Sequence, residues 1–181
     1  FNNAHDIRII KNKNSFKQRS LSHANALDLG MQYVDTKFTL IVDPDIHIFY
    51  KNWDKFCLQA MERNHKTVLG APYPCWKLGK VHKYPSVVFM FFKTNLVRNF
   101  GKTFKPFPRF YKRVYNSIVR KIVRRGGIAN KHRLDKSKKL RLTCEWLEKK
   151  TGISSPDTGR EIILQFHDND FESMVFSTPY T

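Results

Sequence analysis

Short apolar runs, set apart by polar and basic stretches, divide this chain into alternating strands and helices. Asp6-Ile7-Arg8-Ile9-Ile10 reads as a short strand. After a polar turn at Lys11–Asn14, Ser15 is placed to cap a helix from about Phe16 to Tyr33. Leu21, Ala24, Leu27, Leu29 and Met31 form its core-facing stripe. Phe38-Thr39-Leu40-Ile41-Val42 is a buried strand that runs into Asp43-Pro44-Asp45. Asn52 to Asn64 has helical spacing, with Trp53, Phe56, Cys57 and Met61 inward. Thr67-Val68-Leu69-Gly70 is the next strand, and Ala71 to Tyr84 is a loop of Pro, Gly and aromatic residues. Ser86 to Phe92 is too continuously apolar to be half exposed, so it reads as a central strand covered on both faces.

The strand, helix, strand order at the start predicts a parallel pair with a right-handed crossover. The fold class expected is therefore α/β, with helices on both faces of a mostly parallel sheet. In such sheets ligands sit beyond the carboxyl ends of the strands, where Asp43 and Asp45 fall. Pro44 fixes its own φ and biases Asp43 toward an extended conformation. Two acids so placed can grip a divalent cation and the phosphate it carries. An acidic turn closing a strand gives the same pattern.

The second half is different in character. From Phe104 to Arg125, apolar residues including Phe107, Phe110, Tyr111, Val114, Ile118 and Ile122 recur every three or four positions. Lys112, Arg113, Arg120, Lys121, Arg124 and Arg125 fill much of the remainder, and Gly126-Gly127 follows. This predicts a basic amphipathic helix, with a second from Ser137 to Lys150. Such helices can pack on the sheet with a solvated basic face, touch an anionic membrane surface, or do both at once.

Composition narrows the classes. The 181 residues fit one domain, 1–181, with 101–150 as a basic helical insertion. A formal net charge of +18 implies an anionic partner: nucleotide, nucleic acid or lipid headgroup. Nucleic acid is the less favoured, because the basic residues are concentrated in one insertion and no helix-turn-helix, RNA-recognition or zinc-finger signature is present. Cys57, Cys75 and Cys144 are widely spaced, without a CxxC pair, which points to a reducing, cytoplasmic setting. No apolar run reaches the length of a membrane span, so membrane contact would be peripheral. The chain begins at Phe1, directly before the first strand, as a piece of a longer protein would.

The order of segments resembles the family 2 glycosyltransferases of GT-A fold. The resemblance lies in His23-Ala24-Asn25-Ala26-Leu27, Thr39-Leu40-Ile41-Val42-Asp43-Pro44-Asp45, Gly70-Ala71-Pro72, Phe91-Phe92-Lys93-Thr94 and Asp157-Thr158-Gly159. It runs from about Asp6 to Asp170, with the basic insertion as its least similar part. It implies a Rossmann-like, three-layer α/β/α domain that moves a sugar from a nucleotide-diphosphate donor to a hydroxyl acceptor, such as a glycan or a lipid-linked acceptor, with inversion. It also implies an N-terminal truncation, since such enzymes open with two further strands for the base and ribose.

By resemblance, Asn25 and Asp43 would serve the donor, with Asp43 at the ribose or a metal-bound water, and Asp45 would ligate Mn²⁺ or Mg²⁺ directly. His167, in His167-Asp168-Asn169-Asp170, would be a third ligand; a surface polar cluster reads the same way. Inverting transfer needs a base for the acceptor's proton. Asp157 is the candidate, at the start of a helix through Glu161–Phe166, and an ordinary N-cap would also sit there. Tyr73 and Trp76 would line the acceptor side. The alternative is a non-catalytic glycosyltransferase-like binding module.

Overall fold

The computed structural model describes residues 7–12, 19–73, 80–106, 110–111, 114, 118, 131–151 and 157–176. Its elements in chain order are α1 (Arg19–Tyr33), β1 (Phe38–Val42), α2 (Trp53–Arg63), β2 (Thr67–Pro72), β3 (Pro85–Lys93), α3 (Thr94–Asn99), α4 (Lys131–Lys136), α5 (Lys138–Thr151), α6 (Arg160–Asp168) and β4 (Glu172–Val175). The protein is mixed α/β, built on a four-stranded sheet in the order β1-β3-β2-β4.

The sheet is not mostly parallel. β3 pairs antiparallel with both β1 and β2, and only β2 and β4 pair in parallel. β1, β2 and β4 therefore point the same way, with the reversed β3 inserted between β1 and β2. The long apolar run is central, as its composition requires, but it runs antiparallel to both of its neighbours. The expected opening strand is also absent. Residues 7–10 are not in a strand, and Ile7 and Ile9 are exposed, 64% and 84%. Isoleucines are good strand formers, but a strand persists only where a neighbour satisfies its backbone. Asp6 lies outside the described residues.

Period-two alternation sends side chains from each strand to two separate cores. Ile41, Val68, Met90 and Phe92 meet Ala24 of α1 and Ile162, Ile163 and Phe166 of α6. Phe38, Leu40, Leu69 and Phe91 meet Cys57 and Met61 of α2 on the opposite face. Both faces are thus covered by helices. In α2, Cys57 and Met61 are buried at i, i+4, whereas Phe56 turns aside and is 41% exposed, edge-on to Tyr50. Gly70 is required by close approach: a Cβ there would lie 2.0 Å from the Phe89 carbonyl oxygen.

Phe104 does not begin a helix. It is buried at 2% exposure and fastened on both sides: its N–H donates to Asp28 Oδ1 (2.7 Å) and its carbonyl accepts from Gly159 N–H (2.7 Å). Phe110, Tyr111, Val114 and Ile118 are helical, and the rest of that segment from Phe107 to Asn130 lies outside the described residues. The second basic helix forms as α5, where the Leu140 N–H donates to Ser137 Oγ (3.3 Å), an N-cap contact. Among the described residues, no helix is long and apolar enough to cross a membrane.

Candidate functional site

The carboxyl ends of β1 and β2 lie at one edge of the sheet, because both strands oppose β3. At the end of β1 the Asp43 N–H donates to the Val88 carbonyl (2.8 Å), extending the ladder by one residue. The chain then turns: the Ile46 N–H donates to the Asp43 carbonyl (3.1 Å), with Pro44 in the second position of the turn. Asp43 is held on the sheet rim and remains partly accessible. Asp45 is exposed at the tip of the turn.

Tyr73 is the residue after β2. Its hydroxyl donates to Asp157 Oδ1 (2.8 Å), and the Lys80 ammonium lies 2.6 Å from the same oxygen. The Lys80 Nζ also sits over the Tyr73 ring, 4.6 Å from its centroid. Both charged side chains are largely withdrawn from solvent, at 13% and 7% exposure. Burial drives the Tyr73 phenol far above its ordinary range, helped by the charge of Asp157, the hydrogen bond to it, and the charge of Asp43. The phenol therefore stays protonated and acts as a donor.

The residues that follow Asp157 are fastened to neighbouring elements. Thr158 Oγ1 donates to the Ser20 carbonyl of α1 (3.1 Å), and Gly159 donates to Phe104. Gly159 has φ +78°, and a Cβ there would fall 2.4 Å from Val87 Cγ1 of β3. Gly159, not Asp157, is the N-cap of α6, so the capping explanation of Asp157 does not hold.

The expected site residues divide. Tyr73 and Asp157 come together on the rim where β1 ends in Asp43, and Asp45 lies on the same turn as Asp43. Asn25 donates to Asn12 Oδ1 (3.1 Å) instead of approaching Asp43. His23, two residues earlier on α1, takes that place, with Nε2 3.7 Å from Asp43 Oδ1. Two positions along a helix are about 200° apart, so only one of the pair can face the strand end. His167 does not join Asp45. It lies in the last turn of α6 beside Asp168 (3.2 Å), where the Glu172 N–H bonds the Lys66 carbonyl at the start of β2. That is the opposite rim of the sheet. Trp76 lies outside the described residues.

Among the described residues no group of three or more His, Cys, Asp or Glu side chains is placed to hold a metal ion. A groove lined by Lys37, Phe38, Met61, Glu62, His65 and Lys93 lies at the rim away from Asp43. His23 and Lys80 were not singled out as site residues by sequence reasoning. His23 stands inside the motif that includes Asn25, where it reads as a surface or helix-packing polar residue; a lysine in an aromatic loop carries no such signal. Comparison with protein-family models, with curated proteins and with solved structures finds no match to this chain.

Proposed function

We propose that this protein transfers a sugar from a nucleotide-diphosphate donor to a hydroxyl acceptor, with inversion, on a sheet of GT-A type. One observation carries the reading: Asp157, 114 positions after Asp43 in the chain, accepts the Tyr73 hydroxyl at the end of β2, on the rim where β1 ends in Asp43. A transfer site needs two such functions side by side, one for the donor's phosphates and one for the acceptor's proton.

Asp43 and Asp45 fit a divalent cation of the Mg²⁺ or Mn²⁺ kind. They offer carboxylate oxygens on an accessible turn, and these ions are commonly held by one or two carboxylates together with substrate phosphates. Asp45 would ligate directly and Asp43 would hold the ribose or a water. The ion, when bound, would neutralise charge on the departing diphosphate. Asp157 takes the proton of the acceptor hydroxyl. Tyr73 orients its carboxylate, and Lys80 must leave Asp157 for the diphosphate before the base is free. The ammonium then serves the leaving group, to which its charge is suited.

A second reading, a sugar-nucleotide-binding module without turnover, is favoured by the same Lys80–Asp157 contact, which covers the base. One experiment separates the two. The full chain is melted with a panel of nucleotide-diphosphate sugars, with and without Mn²⁺, and the stabilising donor is then assayed for release of nucleoside diphosphate. Stabilisation and release, both lost in Asp45→Ala, support transfer. Stabilisation without release supports the binding module. No stabilisation by any donor overturns both.

A further inference from the structure

The basic insertion carries an arrangement that sugar transfer does not use. Residues 101–150 hold 17 of the 33 Lys and Arg but only three of the 15 Asp and Glu, so 14 of the 18 net positive charges lie in 50 residues. Solubility alone does not call for such concentration; a local field of one sign attracts an anionic surface.

Apolar side chains accompany that charge at exposed positions. Phe110, Tyr111, Val114 and Ile118 are helical and 72%, 58%, 42% and 55% exposed. At the helical spacing that the sequence predicts for this segment, these four positions share about 100° of arc. On α5, Leu142 and Trp146 are 52% and 55% exposed one turn apart. Lys138 and Lys139 of the same helix are exposed and precede Leu142 by four and three positions. These four also share about 100° of arc. A solvated helix face has no use for Phe, Ile and Trp. A nucleic-acid surface has use for the charge but not for exposed Val, Ile and Leu. Both features suit the boundary of an anionic bilayer. There apolar side chains enter the acyl region, Trp and Tyr sit at headgroup level, and lysines reach the phosphates while their stems lie along the apolar surface.

We propose that the insertion binds the surface of an anionic lipid bilayer through these apolar positions and the basic residues that accompany them, holding the domain at the membrane without crossing it. The inference is independent of sugar transfer, and its test reads no catalysis. The full chain is mixed with phosphatidylcholine vesicles, with and without phosphatidylserine, and bound protein is measured by sedimentation. Binding is expected only with phosphatidylserine, falling steeply as salt rises. Val114→Asp with Ile118→Asp, and separately Lys138→Glu with Lys139→Glu, should each weaken it at least about tenfold. All four positions are exposed, and circular dichroism should be unchanged. In the unsubstituted chain, brominated lipid should quench indole fluorescence, and Trp146→Phe should remove that quenching. The proposal is overturned by failure to bind the anionic vesicles. It is equally overturned by binding that the apolar substitutions leave untouched, or by tighter binding to RNA or DNA of which those substitutions have no effect.

Discussion

Lys80 Nζ lies 2.6 Å from Asp157 Oδ1, joining the loop after β2 to the segment before α6 in a buried ion pair. The same oxygen accepts the Tyr73 hydroxyl, so two donors from one loop converge on one carboxylate.

Removing one partner of this pair should cost more than removing both. Lys80→Met leaves a buried carboxylate with one donor, and breaking a buried pair costs about 3–5 kcal/mol. The double substitution Lys80→Met with Asp157→Leu removes the charge as well and should recover much of that loss. Urea denaturation of the two single variants and the double variant gives the coupling directly.

Tyr73 should set part of the alkaline limit. Its phenol is held protonated in the folded protein, above its ordinary value of 10.0. The unfolded chain loses that proton from about pH 10 upward and the folded chain does not. Stability is therefore fully present below pH 10 and should fall above it, by up to about 1.4 kcal/mol per pH unit from this group. Tyr73→Phe should flatten that part of the curve, measured as unfolding free energy against pH. At neutral pH it should lower stability by about 1.5–3 kcal/mol, the value of a hydrogen bond to a charged group.

Cys57 should resist alkylation in the folded state. Burial first, and then the charge of Asp54, pushes its thiol from 9.0 up to about 11. Little thiolate forms at pH 8, and the side chain is fully buried. Iodoacetamide at pH 8, followed by peptide mass analysis, should leave Cys57 unmodified until denaturant is added. The sign matches that of Tyr73: the stabilising contribution is complete below pH 9 and is lost as pH rises through 11.

Gly159→Ala should destabilise the protein by roughly 2–4 kcal/mol, for two reasons that act together. The residue has φ +78°, and the new Cβ would stand 2.4 Å from Val87 Cγ1. Gly30→Ala is the control: nothing lies within 4 Å of its Cβ position, and it sits inside α1, where alanine is the better helix former. Thermal melting should move the two variants in opposite directions.

Asp45→Ala and His167→Ala should differ in their response to Mn²⁺ plus donor. Both residues are exposed, so each variant should melt within a few degrees of the parent without ligand. Asp45→Ala should lose the Mn²⁺-dependent shift. His167→Ala should keep it, because His167 lies at the opposite rim of the sheet. Loss of the shift in both would contradict the placement of His167.

What residue pattern alone determined is local. The apolar runs at Phe38–Val42, Thr67–Gly70 and Ser86–Phe92 became β1, β2 and β3, because burial on both faces leaves a strand few other options. α2 and α5 formed where helical spacing placed them. β4 was not foreseen: Glu-Ser-Met-Val has little strand signal, and it forms because β2 offers an open parallel partner. Strand direction was decided only by the tertiary structure. Apolar composition says that β3 is covered on both faces but not which way it runs, and its reversal made the sheet mixed. The candidate site followed the same division. Asp43 was legible because a carboxylate at a strand end can be read from neighbours in the chain. Lys80 was not, since it is brought to Asp157 by a loop closing across 77 positions, and His23 displaced Asn25 by the rotation of α1 alone. Short-range spacing is written into a chain, whereas direction and rotation are settled by which faces the finished core leaves to be covered.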